Sequence, residues 1–314
     1  MSTHRPTRRR VLGGAAALSA SIAAAPFVRA RPLRDRLKLA AVGAANRGAA
    51  NIAGVLSHDV AALCDVDAGL LSRGVAQVEK AGQKRPKTYI DWRELLDEEK
   101  DLQGGVISTP DHTHAAIARA ALRRGSPVYC EKPLTRTVAE ARELLDLSRA
   151  AGVPTQMGTQ IHATDNYRRV VEAIRAGVIG DVHTVHVVCS KSWSAGQFGE
   201  AKAVPKGLAW DLWLGPTPDL PYRDGIHPAN WRRFWACCTG TVCDMACHWV
   251  DLDHWALQLG TPNAVEVEGP EVHPDGTPKW MHVRWGHPAI EGRGAVDVHW
   301  WDGGAKPEST PRSD

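Results

Sequence analysis

Lys38-Leu39-Ala40-Ala41-Val42-Gly43-Ala44-Ala45-Asn46-Arg47-Gly48 decides the fold of this 314-residue chain. A short, mostly apolar run ends at one glycine, and a second glycine follows just ahead of a helical pattern. That order reads as strand, tight turn and helix, in the form Gly-x-Ala-x-x-Gly. Gly43 permits the turn and Gly48 permits close packing of helix on strand. Ala45 stands where a glycine normally lets a pyrophosphate approach the backbone. Such a turn alone is a weak sign. Asp65 strengthens it, because it ends a second apolar run, Val60-Ala61-Ala62-Leu63-Cys64, 22 residues after Gly43. A carboxylate there accepts hydrogen bonds from both ribose hydroxyls and repels a 2′-phosphate. NAD is the expected cofactor, and Arg47, beside the turn, keeps NADP open.

Outward from this stretch, strand and helix alternate. Thr88-Tyr89-Ile90 reads as a short strand, and Gly105-Val106-Ile107-Ser108-Thr109 as a longer one running into Pro110-Asp111-His112-Thr113-His114. Pro127-Val128-Tyr129-Cys130 follows, then a helix over Val138 to Ala151, and Val153 to Met157 closes the series. Alternation on this scale predicts a doubly wound parallel sheet. Glu131-Lys132-Pro133 then sets a lysine at the carboxyl edge of that sheet, where α/β folds hold cofactor and substrate. Pro133 also disfavours a helical backbone at Lys132.

In the second half, Thr241 to Leu259 reads as a helix, and Asp244 and His248, four residues apart, share one of its faces. A histidine can take a hydroxyl proton while hydride leaves the same carbon. An adjacent carboxylate would orient the imidazole, and Lys132 would stabilise charge on the reacting oxygen. An isolated pair at this spacing is more often an ordinary surface pair; Lys132 and the upstream pattern tip the reading to catalysis. Asp251, three residues past His248, reads equally as a further polar partner or a solvated acid, and His254 reads as structural. Cys237, Cys238, Cys243 and Cys247 crowd the same region without paired C-x-x-C units, so no metal is expected and the thiols read as small packing groups. Seven cysteines without regular spacing make no disulfide framework. Twelve tryptophans against three phenylalanines stand out. Trp193, Trp210, Trp213, Trp231 and Trp235 divide between sugar stacking and core packing. Tyr222, Arg223, His227 and Arg232 are polar candidates in the same stretch.

Residues 1–30 read as a twin-arginine signal: Thr7-Arg8-Arg9-Arg10-Val11-Leu12, an alanine-rich segment to Ala25, and Val28-Arg29-Ala30 before the cut. The apolar segment is too short and mild for a stable membrane anchor. The twin-arginine export machinery, which passes folded chains, and a periplasmic destination are therefore expected. Loss of five arginines and no acids leaves 33 basic against 35 acidic residues, which excludes a nucleic-acid reading of the precursor's +3 charge.

Several motifs together resemble the Gfo/Idh/MocA oxidoreductases: Gly43 to Gly48, Cys64-Asp65-Val66-Asp67, Thr109 to His114, Glu131-Lys132-Pro133 and Gln156-Met157-Gly158-Thr159-Gln160. Trp210 to Pro216 and Asp244-Met245-Ala246-Cys247-His248 continue the likeness, which spans about residues 37–305. The resemblance implies a linker over 31–36 and a Rossmann domain over 37–158. It also implies an α+β domain over 159–305 with an open, largely antiparallel sheet, and a polar tail over 306–314. It implies catalysis by Lys132, Asp244 and His248, with the Thr109–His114 loop lying under the cofactor. Cofactor contacts would come from Gly43, Ala45, Asn46, Arg47, Gly48, Asp65, Thr109, Pro110, His114, Glu131, Lys132 and Gln160, with Glu131 toward the nicotinamide ribose. In relatives, further chain follows the Trp301-Asp302-Gly303-Gly304 turn, so an incomplete second sheet is expected; a complete one would imply a homo-oligomer. The activity implied is an exported, NAD(P)-dependent oxidoreductase acting on a secondary alcohol of a sugar or cyclitol. An NAD-dependent glycosidase working by transient oxidation and elimination is the alternative, and a non-catalytic sugar- or dinucleotide-binding protein is the third reading.

Overall fold

Residues 36–308 are described by a computed structural model, so the expected signal over 1–30, the linker up to residue 35 and the tail from residue 309 lie outside the described residues. The quoted stretch forms β1 (Lys38–Val42), a turn and α1 (Arg47–Gly54). Five further strands follow: β2 (Asp59–Cys64), β3 (Lys87–Tyr89), β4 (Gly104–Ile107), β5 (Val128–Glu131) and β6 (Thr155–Gly158). They pair in the order β3-β2-β1-β4-β5-β6, all parallel. The helices between them are α2 (Ala68–Lys80), α3 (Trp92–Glu98), α4 (Asp111–Arg123) and α5 (Val138–Ala151).

Burial on both faces explains the apolar runs. Ala40 and Val42 join one buried cluster with Ile107, Ala118 and Cys130, while Ala41, between them, joins another with Ile52, Leu63 and Val78. Local signals set the helix ends. Asp67 caps α2 by accepting from the Gly69 and Leu70 amides, and Thr137 and Glu140 form a reciprocal capping box on α5. Chain order reverses between β1 and β4, so a crevice opens at the carboxyl ends of those strands.

The second sheet runs β7 (Thr184–Val188), β10 (Val296–Trp301), β9 (His282–His287), β8 (Ala264–Glu268). Only the β7–β10 pairing is parallel. The remaining helices are α6 (Asp165–Arg175), α7 (Trp210–Leu214), a 3-10 turn (Asn230–Arg233) and α8 (Gly240–Leu257). Met245 of α8 packs with Val187, Val283 and the fully buried Trp300 of this sheet. The expected fold class holds: a parallel Rossmann-like sheet plus a mixed, mostly antiparallel one. β8 was not expected from the sequence; every residue of it is exposed, so its valines carry no burial pattern to betray it.

Candidate active site

A cavity of about 510 Å³ opens at the crevice and continues to α8, within the range of small-molecule sites. Of the twelve residues expected to touch a dinucleotide, all but Gly48 border it. Gly48 is in the turn for packing. A Cβ there would stand 2.2 Å from the Gly43 carbonyl oxygen, and one on Gly43 would stand 2.6 Å from the Ser108 carbonyl oxygen, at a φ of +90°. Asn46 takes a positive φ of 49° to start α1. At Gly43 the turn is thus pressed onto the chain after β4 with no room for a side chain, and the turn residues Gly43, Ala45, Asn46 and Arg47 border the cavity where a pyrophosphate would lie.

Asp65 sits at the end of β2, as expected, but its carboxylate is already engaged. Oδ2 accepts from the Ala44 amide at 2.8 Å and Oδ1 from the Asp67 amide at 3.0 Å. Burial pushes its carboxyl above the ordinary 3.8, against those two hydrogen bonds. A carboxylate has about four acceptor sites, so capacity for ribose hydroxyls remains. Asp65 therefore fixes the glycine turn as well as facing the cavity. Glu131 is similarly held, by Asn51 at 2.9 Å, Tyr129 at 3.2 Å and Gln160 at 2.8 Å. These residues fit a dinucleotide: a backbone cradle, an acid at the end of β2 and a bordering cavity of suitable size.

Lys132 reaches from the end of β5 to α8. Its Nζ donates to Asp244 Oδ1 at 2.6 Å and to the Asp244 carbonyl at 2.8 Å, with both side chains largely buried. Arg232 Nε donates to the same Oδ1 at 3.2 Å, and its guanidinium lies over Trp231, 4.1 Å from the ring centre. Although burial opposes it, the Lys132 and Arg232 charges hold the Asp244 carboxyl below its ordinary 3.8. His248 shares the face but not the bond. Its Nδ1 points to the Gln160 carbonyl at 3.4 Å, while burial and then the Lys132 ammonium push the imidazole below its ordinary 6.5. Asp244 was expected to orient His248; helical spacing aligns the two, but the carboxylate accepts its hydrogen bonds from Lys132 and Arg232, and Asp244 acts on the imidazole through its charge. Arg232 carries a role the sequence left unranked; its signal was a cation flanked by tryptophans.

His114 borders the cavity, yet it is buried and turns Nδ1 to the Pro133 carbonyl at 2.8 Å and Nε2 to the Thr109 carbonyl at 2.7 Å. Instead of offering a free nitrogen to a cofactor, it ties the β4 and β5 loops together. His112 Nε2 donates to the Trp213 carbonyl at 2.8 Å, and burial lowers its imidazole to about 4. Trp193, Trp213 and Trp231 border the cavity. Trp210 stacks on Trp213 within a buried cluster, and Trp235 donates to the His273 carbonyl.

Profiles of two domains of the Gfo/Idh/MocA group match the chain. One, described as an oxidoreductase family with an NAD-binding Rossmann fold, matches residues 37–159; the other, its C-terminal alpha/beta domain, matches residues 168–289. A "Glycosyl hydrolase family 109 protein" of Stenotrophomonas maltophilia is 28% identical over 237 residues, 72% of this chain and 48% of that protein. "Inositol 2-dehydrogenase 1" of Saccharopolyspora erythraea is 35% identical over 136 residues, 43% of this chain and 39% of that protein. The chain thus spans less than half the length of these two relatives. The crystal structure of GenD2 from gentamicin A biosynthesis, in complex with NAD, superposes with a TM-score of 0.62 at 21% identity, covering 91% of this chain and 70% of that one.

Proposed function

Because the chain belongs to the Gfo/Idh/MocA oxidoreductase family, we propose that it is an NAD-dependent dehydrogenase acting on a secondary alcohol of a sugar or cyclitol. The observation that carries this reading is the Lys132–Asp244 pair at 2.6 Å, with His248 beside it, in the same cavity as the Gly43 turn. The turn from Gly43 to Asn46, Asp65, Thr109, Pro110, Glu131 and Gln160 would hold NAD, which when bound supplies the hydride acceptor. His248, held neutral by burial, takes the hydroxyl proton. Lys132 donates a hydrogen bond to the oxygen that gains charge, and Asp244 and Arg232 fix where its ammonium stands. Trp193, half-buried at the cavity wall, offers an indole to a sugar ring, while Trp231 is buried under the Arg232 guanidinium.

The test is to add sugars and cyclitols to protein with NAD and to follow NADH absorbance, in wild type and Lys132→Ala. Turnover unchanged in the variant would refute the assignment. A glycosidase reading is favoured by one observation, the glycosyl hydrolase relative matched over 72% of this chain. Release of an aglycone without net NADH would select it. Export through the twin-arginine route is proposed on residues 1–30 alone. It predicts a periplasmic product beginning near Arg31, and replacement of Arg8, Arg9 and Arg10 by lysine should retain the precursor in the cytoplasm.

A further inference from the structure

Asp111 opens α4 as a buried residue, 3% exposed, and it forms no ion pair among the described residues. His114, on the same helix, has both ring nitrogens turned to carbonyls. What faces Asp111 is sulfur. Cys238 Sγ donates to Asp111 Oδ2 at 3.1 Å, and the donor atoms of Asp111, Cys238 and Cys243 all lie within 4.8 Å of one another. Cys238 is wholly buried in the loop before α8, and Cys243 is in the first turns of that helix. A carboxylate taken out of water without a cation is costly. Two thiols and a carboxylate converging on one point form a donor set suited to a thiophilic divalent ion.

The geometry needs little adjustment. With metal–ligand bonds of about 2.0–2.3 Å, ligand atoms around a tetrahedral ion stand roughly 3.3–3.8 Å apart. Rotation at the two cysteine side chains can supply the remaining contraction. We propose that Asp111, Cys238 and Cys243 bind one zinc ion, with water in the fourth position. The ion would fasten the start of α8 to the start of α4. Asp244 is the residue after Cys243, so the ion would also fix where its carboxylate meets Lys132. The proposal departs from the expectation of no metal. That expectation weighed the cysteines by their mutual spacing, whereas the third ligand arrives from 127 residues upstream of Cys238.

The test uses full-length, reduced, metal-free protein titrated with Co²⁺ as a coloured probe. One equivalent should produce thiolate-to-cobalt charge-transfer absorption and the d–d bands of a four-coordinate ion, and Zn²⁺ should remove both. Cys238→Ala with Cys243→Ala should abolish the charge-transfer band. Asp111→Asn, nearly the same shape, should keep the band but weaken binding about tenfold or more. No saturable band in wild type whose thiols are shown to be free overturns the proposal. So does a band that survives the double cysteine change, or Co²⁺ affinity unchanged in Asp111→Asn. Should the cysteine variant fail to fold, the wild-type and Asp111→Asn titrations still decide.

Discussion

Lys132 and Asp244 bring opposite charges together where water is scarce, so the two residues depend on each other more than on their elements. Removing Asp244 strands the Lys132 ammonium, whereas Asp244 also has Arg232. Asp244→Ala should lower unfolding free energy by about 3–5 kcal/mol, measured by urea denaturation. Changing Lys132 to Met in the same chain should restore much of that loss without restoring turnover. The Asp244 carboxyl is held below 3.8 in the fold, so its contribution is complete above that value and fades as pH falls further. His248 gives a second prediction. A base must be unprotonated, and its imidazole is pushed below 6.5 by burial and by Lys132. The acid limb of kcat/KM should therefore fall at a pH below 6.5, and Lys132→Met should raise the titration of the His248 imidazole followed directly by NMR. Sequence reached these residues but not their pairing. Spacing along one helix states which side chains share a face; it is silent about what arrives from another element, and here Lys132 and Arg232 arrive. The contacts of His114 were out of reach for the same reason, because two carbonyls from separate loops converge on it.

Among elements, the turn between β1 and α1 has the least tolerance. Gly48→Ala would drive a Cβ against the Gly43 carbonyl at 2.2 Å, and backbone is not free to yield. The expected result is a loss of about 1–3 kcal/mol of stability, with dinucleotide binding weakened in calorimetry even where the variant remains folded. Elements buried on both faces were the legible ones. β1, β2 and β5 announced themselves as apolar runs ending in glycine or acid, β4 as one running into Ser108-Thr109-Pro110, and α5 carried a capping box and a closing glycine. β8 shows the limit. Its Ala-Val-Glu-Val-Glu faces solvent throughout and is held by backbone pairing to β9 alone among the described residues, which composition does not record.

At the scale of the molecule, the two sheets are joined by more than the Lys132–Asp244 pair. His112 meets the Trp213 carbonyl, His227 meets Asp67, and the Ala68 and Ala209 amides donate to the Gly207 and Val66 carbonyls. Such bonds make separate unfolding of the halves costly. Eleven of the twelve tryptophans lie after residue 190, with Trp92 alone in the Rossmann half. Indole fluorescence therefore follows the second half, while far-UV circular dichroism follows mostly the helices of the first. The two signals should give coincident denaturation midpoints, and saturating NAD should raise both together. The placement of Trp193, Trp213 and Trp231 around the cavity has an optical consequence too. Indole emission overlaps the absorption of reduced nicotinamide, so NADH seated there becomes an energy acceptor. Titration with NADH should quench the tryptophans and excite blue nicotinamide emission, while NAD, transparent in that region, should produce no such transfer. The protein would then report the redox state of its own cofactor as colour.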